Sequence, residues 1–215
     1  MRKIAIIGAG GFGREVKMLI DQINHTEKKY EFIGFYDDNI PIDSEVNGFK
    51  ILGTVDELEQ INYSLEIVIS IADPLIKKKI YETLNKNNNL NFPSIIHPNV
   101  LIGEDEVVIG YGCIICASNI ITVNIIIGNF VILNLGCTIG HDTNIGDYCS
   151  FMPSVNISGE VIIENSVYVG TGAKIINLLT IGNSTIVGAG AVVSASLPEK
   201  CTAVGIPAKP IKFHE

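Results

Sequence analysis

The spacing of apolar residues changes once along the chain, near residue 92. Before that point, short apolar runs alternate with segments in which apolar residues recur every three or four positions. These patterns predict, in chain order, the strand Ile4–Ile7, a helix over residues 13–24, and the strands Phe32–Tyr36 and Ile67–Ile71. Start signals add two helices: one capped by Thr54 that ends at Glu59, and one from Pro74 to about Asn85.

The alternation of strands and helices predicts a small parallel sheet covered by helices. We therefore expect a Rossmann-like βαβαβ domain over residues 1–92. The polar, Asn-rich segment 85–91 is expected to link this domain to the rest of the chain.

From Ile95 onward, a six-residue repeat replaces the helical spacing. Large apolar residues, fourteen aliphatic and one aromatic, occupy fifteen positions of one register. They are Ile109, Ile115, Ile121, Ile127, Leu133, Ile139, Ile145, Phe151, Ile157, Ile163, Val169, Ile175, Ile181, Val187 and Val193. Ile96 and Ile102 extend the series backwards, with one extra residue before Ile109. Hexapeptide repeats predict a parallel β-helix, which we place over residues 93–215.

Each repeat is expected to form one short strand and one corner. Three repeats close a triangular coil of 18 residues, so fifteen positions predict about five coils. The large residue points inward, and the small residue two positions earlier lies beside it; Cys113, Cys137 and Cys149 occupy that small position and are expected to be buried. Glycine follows the large residue seven times, and we attribute it to corner backbone angles that a Cβ disfavours.

Charge and composition exclude several classes of partner. The formal net charge is −8 and no block of Lys or Arg occurs, so we expect neither nucleic acid nor an anionic membrane surface as a partner. No apolar run approaches the ~18 residues of a membrane-spanning helix, and no signal peptide pattern follows Met1. The five cysteines, an odd number, do not suggest a disulfide framework. We therefore expect a cytoplasmic protein.

Four motifs together resemble a known family. They are the loop Gly8–Gly13 (GAGGFG), Asp37-Asp38, Gly140-His141-Asp142 within the repeat, and the closing segment Val204–Lys209. The combination resembles the hexapeptide-repeat sugar acetyltransferases of the sialic-acid O-acetyltransferase-like family, which includes the bacillosamine and perosamine N-acetyltransferases. The resemblance covers essentially the whole chain. It implies a left-handed β-helix, a homotrimer with active sites between subunits, acetyl-CoA as co-substrate, and no metal.

The histidine of the third motif is the candidate catalytic base. His141 directly follows Gly140 at a predicted corner, where side chains can face outward. The resemblance implies that His141 is the general base, that Asp142 assists it, and that the backbone N–H of Gly159 holds the thioester oxygen. Ser150 stands where the bacillosamine-type enzymes carry a second histidine, and we count it among the acetyl-CoA-binding residues.

Two further groups of residues are candidate ligand contacts. The resemblance implies an acetyl-CoA groove along the later coils and the C-terminal segment, with Gly188, Ala189, Gly205, Pro207 and Lys209. The N-terminal loop has the GxGxxG pattern between a strand and a helix, with acids after the second strand, which by itself suggests NAD. The resemblance implies nucleotide-sugar binding instead, by Gly8, Gly10, Gly11, Phe12, Gly13, Asp37 and Asp38. The bacillosamine-type loop has a histidine where Phe12 stands.

The resulting hypothesis is acetyl transfer from acetyl-CoA to an amino group of a nucleotide-linked sugar, for glycan or polysaccharide precursor synthesis. One alternative is O-acetylation of a sugar hydroxyl, such as that of sialic acid. Another is an NAD-type oxidoreductase with a β-helical oligomerisation module. Such an enzyme needs a substrate domain, and residues 1–90 leave no room for one. A metal-dependent hydratase similar to the γ-type carbonic anhydrases needs three histidines, whereas the coils past Val107 contain only His141.

Overall fold

A computed structural model describes residues 1–214 as a sheet domain followed by a β-helix. The sheet domain contains β1 (Arg2–Ile7), α1 (Gly11–Thr26), β2 (Tyr30–Tyr36), β3 (Glu45–Val46), β4 (Phe49–Gly53), α2 (Val55–Glu59), β5 (Leu65–Ile69), α3 (Pro74–Leu84) and β6 (Leu90–Asn91). The strands lie in the order β3-β4-β2-β1-β5-β6, and every pair except β3 and β4 is parallel. The predicted Rossmann-like sheet is confirmed.

The sequence missed three strands of this sheet. The hairpin of β3 and β4 was not predicted, because each apolar run in it is short and is bounded by glycine at Gly48 or Gly53. Strand β6 lies inside the predicted linker, where Leu90 pairs with Leu65 and adds an edge strand to the sheet. The sheet therefore ends at Asn91, close to the boundary proposed at residue 92.

Both predicted helix starts depend on side-chain caps. The Thr54 hydroxyl accepts a hydrogen bond from the Glu57 N–H, and the Glu57 carboxylate accepts one from the Thr54 N–H, which is a capping box. The Asp73 carboxylate caps α3 by accepting from the backbone N–H groups of Leu75 and Ile76. These caps satisfy donors that have no partner in the first helical turn.

The β-helix runs from Ile95 to Phe213. Its strands are β7 (Ile95–Ile96), β8 (Leu101–Ile102), β9 (Val107–Ile109), β10 (Ile114–Ile115), β11 (Ile120–Ile121), β12 (Ile125–Ile127), β13 (Ile132–Leu133), β14 (Thr138–Ile139), β15 (Asn144–Ile145), β16 (Ser150–Phe151), β17 (Asn156–Ile157), β18 (Ile162–Ile163), β19 (Tyr168–Val169), β20 (Lys174–Ile175), β21 (Thr180–Ile181), β22 (Ile186–Val187), β23 (Val192–Val193), β24 (Cys201–Val204) and β25 (Lys209–Phe213).

These strands form the three faces of a triangular prism. Face 1 holds β7, β10, β13, β16, β19, β22 and β24, with β25 added antiparallel at its end. Face 2 holds β8, β11, β14, β17, β20 and β23, and face 3 holds β9, β12, β15, β18 and β21. The six strands of face 2 correspond to six coils. That is one coil more than the fifteen register positions predict, because Ile96 and Ile102 begin a further one.

The predicted register is confirmed by the strand pairing. Phe151 pairs with Leu133 on one side and Val169 on the other, each 18 residues away. Ile96 pairs with Ile115, 19 residues away, which places the extra residue in the first coil. Fourteen of the fifteen inward residues and the three cysteines of the small position are buried, Ile109 is half-buried, and all five cysteines are free.

The explanation offered for the repeated glycines is wrong. Gly140 and its six equivalents do not have positive φ angles, which instead occur two residues later, as at Asp142 with φ 57°. The glycines are required because adjacent coils approach closely. A Cβ on Gly140 would lie 2.6 Å from the Gly159 nitrogen of the next coil.

The sheet domain packs on face 1 through an apolar core and one buried lysine. Ile114 and Ile132 point outward from face 1 and share a core with residues of β1 and α1. Lys77 of α3 is 1 % exposed, and its Nζ donates to Ser150 Oγ at 3.0 Å and to the Cys149 carbonyl at 3.3 Å. Burial removes hydration from the ammonium group and lowers the pKa of Lys77 to about 7.

Aromatic side chains also join the sheet domain to the β-helix. Phe130 stacks on Tyr148 with ring centroids 5.5 Å apart, and Tyr81 of α3 packs against Phe130 at 4.4 Å. The Tyr81 and Tyr111 hydroxyls are 2.9 Å apart, so one donates to the other. The sheet domain is therefore fixed against face 1 by contacts from the first coils to the fourth.

We expect Lys77→Met to remove a pH dependence from the stability of the fold. The pKa of Lys77 is about 7 in the folded protein and about 10.5 in the unfolded chain, so the unfolded state binds more protons between these values. The unfolding free energy of the wild type should therefore rise relative to the variant with increasing pH, by about 2 kcal/mol between pH 7 and pH 9. Denaturant melts at both pH values measure this difference. Lys78→Met, on the exposed side of α3, is the matched control, and its unfolding free energy should depend on pH as that of the wild type does. The same pH dependence in Lys77→Met as in the wild type would contradict the prediction.

Candidate active site

His141 lies at the corner between face 2 and face 3, immediately after β14. The residue that follows it in each coil adopts a positive φ, and Asn124, Asp142 and Glu160 stack there at 18-residue intervals. Asn and Asp tolerate this conformation better than most residues. The turn directs His141 outward, and its side chain is 57 % exposed.

The imidazole of His141 is oriented by the next residue. His141 Nδ1 lies 2.8 Å from Asp142 Oδ2, and Asp142 Oδ1 accepts a hydrogen bond from Asn124 Nδ2 at 2.9 Å. The hydrogen bonds from Asn124 and His141 lower the pKa of Asp142. An ionised carboxylate only accepts, so Nδ1 is the donor, and Nε2 of the neutral ring carries the free lone pair.

Gly159 lies directly against the imidazole ring, one coil further on. A Cβ at this position would be 2.5 Å from His141 Cε1 and 2.5 Å from Nε2, so only glycine leaves room for the ring. Among residues 1–214 the Gly159 N–H has no hydrogen-bond acceptor, although Gly159 is buried. A basic nitrogen and a free peptide donor therefore lie side by side, an arrangement that can accept a proton and stabilise a developing negative oxygen.

The structure does not bring Ser150 to this corner. Ser150 lies on face 1, is fully buried beneath α3, and accepts a hydrogen bond from Lys77. Its hydroxyl is not accessible to acetyl-CoA in the protomer described here. The sequence did not reveal this burial, because the repeat does not indicate which face another domain covers.

The N-terminal loop forms an open helix N-terminus at the carboxyl end of β1. Gly8 has a φ of 93°, and a Cβ on Gly13 would overlap the Gly8 carbonyl oxygen, so both glycines are required by the turn. Gly10 caps α1 without a side-chain hydrogen bond, and open space surrounds the Cβ positions of Gly10 and Gly11. Phe12 is half-buried. The first N–H groups of α1 are thus accessible to an anion.

Asp37 and Asp38 brace this region through backbone amides. Asp37 Oδ2 accepts from the Ala9 N–H at 2.8 Å, and its Oδ1 accepts from the Asn39 N–H at 2.9 Å. Asp38 Oδ1 accepts from the Val55 N–H at 2.9 Å. The two carboxylates fix the glycine loop and the start of α2, and a direct contact with a ribose stays a prediction.

A cavity of about 790 Å³ adjoins the carboxyl end of the sheet. One wall is the start of α3, Ala72–Leu75, and the other is the uncovered end of face 1 with Tyr168 and Ile186; Lys200 and His214 close one end. The corner between faces 2 and 3 is opposite face 1 in a triangular prism. The cavity and His141 therefore lie on different sides of one protomer.

The C-terminal candidate residues gather at the corner between faces 1 and 2 of the last coil. A Cβ on Gly188 would lie 2.7 Å from Val204 Cγ1, so glycine permits the final strand to pack there. The Gly205 carbonyl accepts from the Val192 N–H at 3.1 Å, and the Ala208 N–H donates to the Val192 carbonyl at 2.8 Å. Ala189, Pro207 and Lys209 are exposed. Face 2 connects this corner to the corner that carries His141.

Three polar side chains of face 2 were missed by the sequence analysis. Asn156 Nδ2 donates to Thr138 Oγ1 at 3.0 Å, and Lys174 Nζ donates to Asn156 Oδ1 at 2.9 Å. These residues occupy the outward position of successive strands, 18 residues apart, so they form a polar ladder beside the His141 corner. Aligning the outward positions of successive coils would have found it.

Within residues 1–214, no helix is both long enough and apolar enough to span a membrane. No group of three or more His, Cys, Asp or Glu side chains in that range is arranged to hold a metal ion.

Comparison with known proteins adds relatives of known activity. Residues 3–84 match the PglD N-terminal domain family. GDP-perosamine N-acetyltransferase of Escherichia coli O157:H7 is 33% identical over 175 residues, which cover 81% of this chain and 78% of that protein. The chain therefore has a relative similar over most of its length.

Two solved structures are similar over nearly the whole chain. One is a histidine-to-asparagine variant of perosamine N-acetyltransferase from Caulobacter crescentus in complex with CoA and GDP-perosamine, with a TM-score of 0.87, 26% identity, and coverage of 99% of this chain and 98% of that one. The other is the acetyltransferase domain of PglB from Neisseria gonorrhoeae FA1090 in complex with acetyl coenzyme A, with a TM-score of 0.87, 29% identity, and coverage of 98% and 99%.

We expect Gly159→Ala to displace the imidazole of His141 without unfolding the coil. Carbon–carbon contacts in proteins lie near 3.5–4.0 Å, so the added methyl should move the ring by about 1 Å and lengthen its bond to Asp142. A crystal structure of the variant measures both distances. Asn177→Ala, at the same corner position one coil later, is the control and should leave the ring in place. An unmoved ring in Gly159→Ala would contradict the packing described here.

Proposed function

The chain belongs to the family of nucleotide-sugar acetyltransferases that includes GDP-perosamine N-acetyltransferase, and we propose that it transfers the acetyl group of acetyl-CoA to the amino group of a nucleotide-linked sugar. The relatives bound to CoA, acetyl coenzyme A and GDP-perosamine support this pair of substrates. An N-acetylated nucleotide sugar is an activated glycosyl donor, so we place the reaction in the cytoplasmic synthesis of a glycan or polysaccharide precursor.

One observation carries this proposal. The Nδ1 of His141 donates to Asp142, and its Nε2 lies beside the free N–H of Gly159 at an outward corner. Acyl transfer to an amine needs both groups: a base for the proton of the amine and a donor for the oxygen of the thioester. No other histidine has this environment, since His25 lies at the end of α1, His97 precedes Pro98, and His214 follows β25.

The reaction follows from these two groups. The sugar amine attacks the thioester carbonyl carbon while Nε2 of His141 accepts a proton from the amine nitrogen. Asp142 stabilises the imidazolium that forms, as a carboxylate does for a catalytic histidine in general. The Gly159 N–H donates to the oxygen of the tetrahedral intermediate. When the carbon–sulfur bond breaks, the imidazolium returns its proton to the leaving thiolate, which gives CoA and the N-acetylated sugar.

Acetyl-CoA is proposed to lie along face 2, between the last coil and the His141 corner. Gly188 and Ala189 permit close approach to the pantetheine arm, because neither carries a large side chain. Gly205 and Pro207 shape the end of the groove, and the exposed ammonium group of Lys209 is available to a phosphate of CoA. The free thioester end then faces Gly159.

The nucleotide is proposed to bind at the carboxyl end of the sheet. The open N-terminus of α1 at Gly10 and Gly11 suits a diphosphate, and the cavity of about 790 Å³, whose lining begins at Ala72 after β5, has the size of a small-molecule site. Gly8, Gly13, Asp37 and Asp38 hold the loop in shape, and Phe12 flanks it.

A sugar bound at this sheet cannot reach His141 of the same protomer, because face 1 and the His141 corner lie on opposite sides of the prism. We therefore propose a homotrimer in which the sheet domain of one subunit presents the sugar to His141 of the next. A closed ring of three copies gives every subunit one such contact.

We expect His141→Ala to lower kcat by about 10²–10⁴ while the thermal unfolding curve is unchanged. The assay follows CoA thiol release from acetyl-CoA with a panel of GDP-, UDP- and dTDP-linked amino sugars. His25→Ala, at the exposed end of α1, is the matched control and should keep wild-type turnover. Turnover by His141→Ala at the wild-type rate would remove His141 as the base, and no turnover by wild type on any acceptor would overturn the proposed function.

Mixed oligomers test whether the site lies between subunits. Gly11→Asp places a carboxylate against the proposed phosphate site, and Asp is well tolerated in the first turn of a helix. Coexpression of Gly11→Asp with His141→Ala, each inactive alone, should restore about a quarter of the wild-type activity in random trimers, because one site in four combines two intact halves. Mixed trimers verified by native mass spectrometry but without activity would contradict the arrangement.

A further inference from the structure

Asn124 is connected to the His141 base by an unbroken chain of hydrogen bonds across two coils. Its Nδ2 donates to Asp142 Oδ1 at 2.9 Å, and the other oxygen of the same carboxylate lies 2.8 Å from His141 Nδ1. Both oxygens of Asp142 therefore have a partner, one on each side. The orientation of the imidazole depends on the orientation of this carboxylate.

The Asp142 carboxylate needs an external support, because it is not held by packing. Its side chain is 48 % exposed at an outward corner, where rotation about its side-chain bonds meets little resistance. The backbones of both residues are fixed, since the Asn124 N–H donates to the Asp105 carbonyl at 3.0 Å and the Asp142 N–H donates to the Val123 carbonyl at 3.1 Å. The backbone ladder thus sets the separation of the two side chains, about 4.8 Å between strands.

The charges at this corner require a neutral donor at residue 124. The positive-φ stack runs Glu106, Asn124, Asp142, Glu160, Leu178, so Asn124 separates two carboxylates. The first coil adds Glu104 and Asp105 at this corner, and His141 itself lies here. A carboxylate at residue 124 would repel Asp142, and an apolar side chain would leave Oδ1 without its donor.

We propose that Asn124 is a positioning residue for acetyl transfer: it holds the Asp142 carboxylate so that Asp142 keeps the His141 proton on Nδ1 and the Nε2 lone pair toward the substrate. This role rests on the proposed function of His141. The competing explanation is that Asn124 is present only because asparagine tolerates a positive φ. Two substitutions separate these explanations.

Asn124→Gly keeps the backbone conformation and removes the amide donor. We expect kcat to fall about tenfold with the KM for acetyl-CoA unchanged, because the base and not the CoA groove is disturbed.

Asn124→Asp keeps the shape and adds a negative charge beside Asp142. That charge favours the protonated base, so the acid limb of the kcat/KM profile should move to higher pH, by about half a pH unit to one unit. Ser118→Gly, at another positive-φ corner of the same coil, is the control and should change neither quantity.

A double-mutant cycle tests whether Asn124 acts through Asp142. In an Asp142→Ala background, Asn124→Gly should have no further effect on kcat, whereas a purely structural role gives losses that multiply. Multiplying losses, or a wild-type kcat and pH profile in Asn124→Gly and Asn124→Asp, would overturn the proposal.

A readout without substrate keeps this test separate from the proposed function. Nitrogen-15 NMR of the histidine side chains distinguishes the Nδ1–H tautomer from the Nε2–H tautomer. We expect wild-type His141 to populate the Nδ1–H form at pH 8, and Asn124→Gly to shift it toward Nε2–H. An unchanged tautomer would overturn the role of Asn124 even in an active enzyme. If Asn124→Gly shifts the tautomer but the wild type transfers no acetyl group, the positioning role of Asn124 stands and the proposed acetyltransferase function is wrong.

Discussion

The stacking of one large apolar residue on the next, every 18 residues, is the constraint on which the rest of this structure depends. It fixes the coil length, and the coil length fixes which corner residues meet. His141 lies against Gly159, and Asp142 meets Asn124, because the two residues of each pair are one coil of 18 residues apart. The imidazole of His141 is thus positioned by residues of three successive coils, Asn124, Asp142 and Gly159, which the coil length brings together.

The second determinant is the position of the sheet domain on face 1. The sheet domain covers the first four strands of that face through its contacts with Ile114, Ile132 and Phe130 and through Lys77, and it leaves the later strands open to the cavity. The covered face is opposite the His141 corner. The cavity and His141 are therefore separated within one protomer, and this separation is the basis of the proposed site between subunits.

The sequence predicted the register of the β-helix in detail because the inward position repeats without interruption, apart from the extra residue before Ile109. The residue type does not repeat at the outward and corner positions. The polar ladder of Asn156 and Lys174 and the contact of Asn124 with Asp142 were therefore not predicted. Subtracting 18 from the number of Asp142 would have pointed to Asn124. The burial of Ser150 could not be predicted, because it depends on where α3 docks, and docking arises from surface complementarity that no repeat encodes.

The uniform rise of the coils has a consequence for how such proteins can change. The sheet domain is anchored to the first four strands of face 1, while His141 sits in the third coil. Insertion or loss of one complete coil beyond the anchored strands preserves the stacking and changes the distance between His141 and the last coil by about 4.8 Å. The distance between the His141 corner and the C-terminal corner of face 2 can therefore change only in steps of one coil.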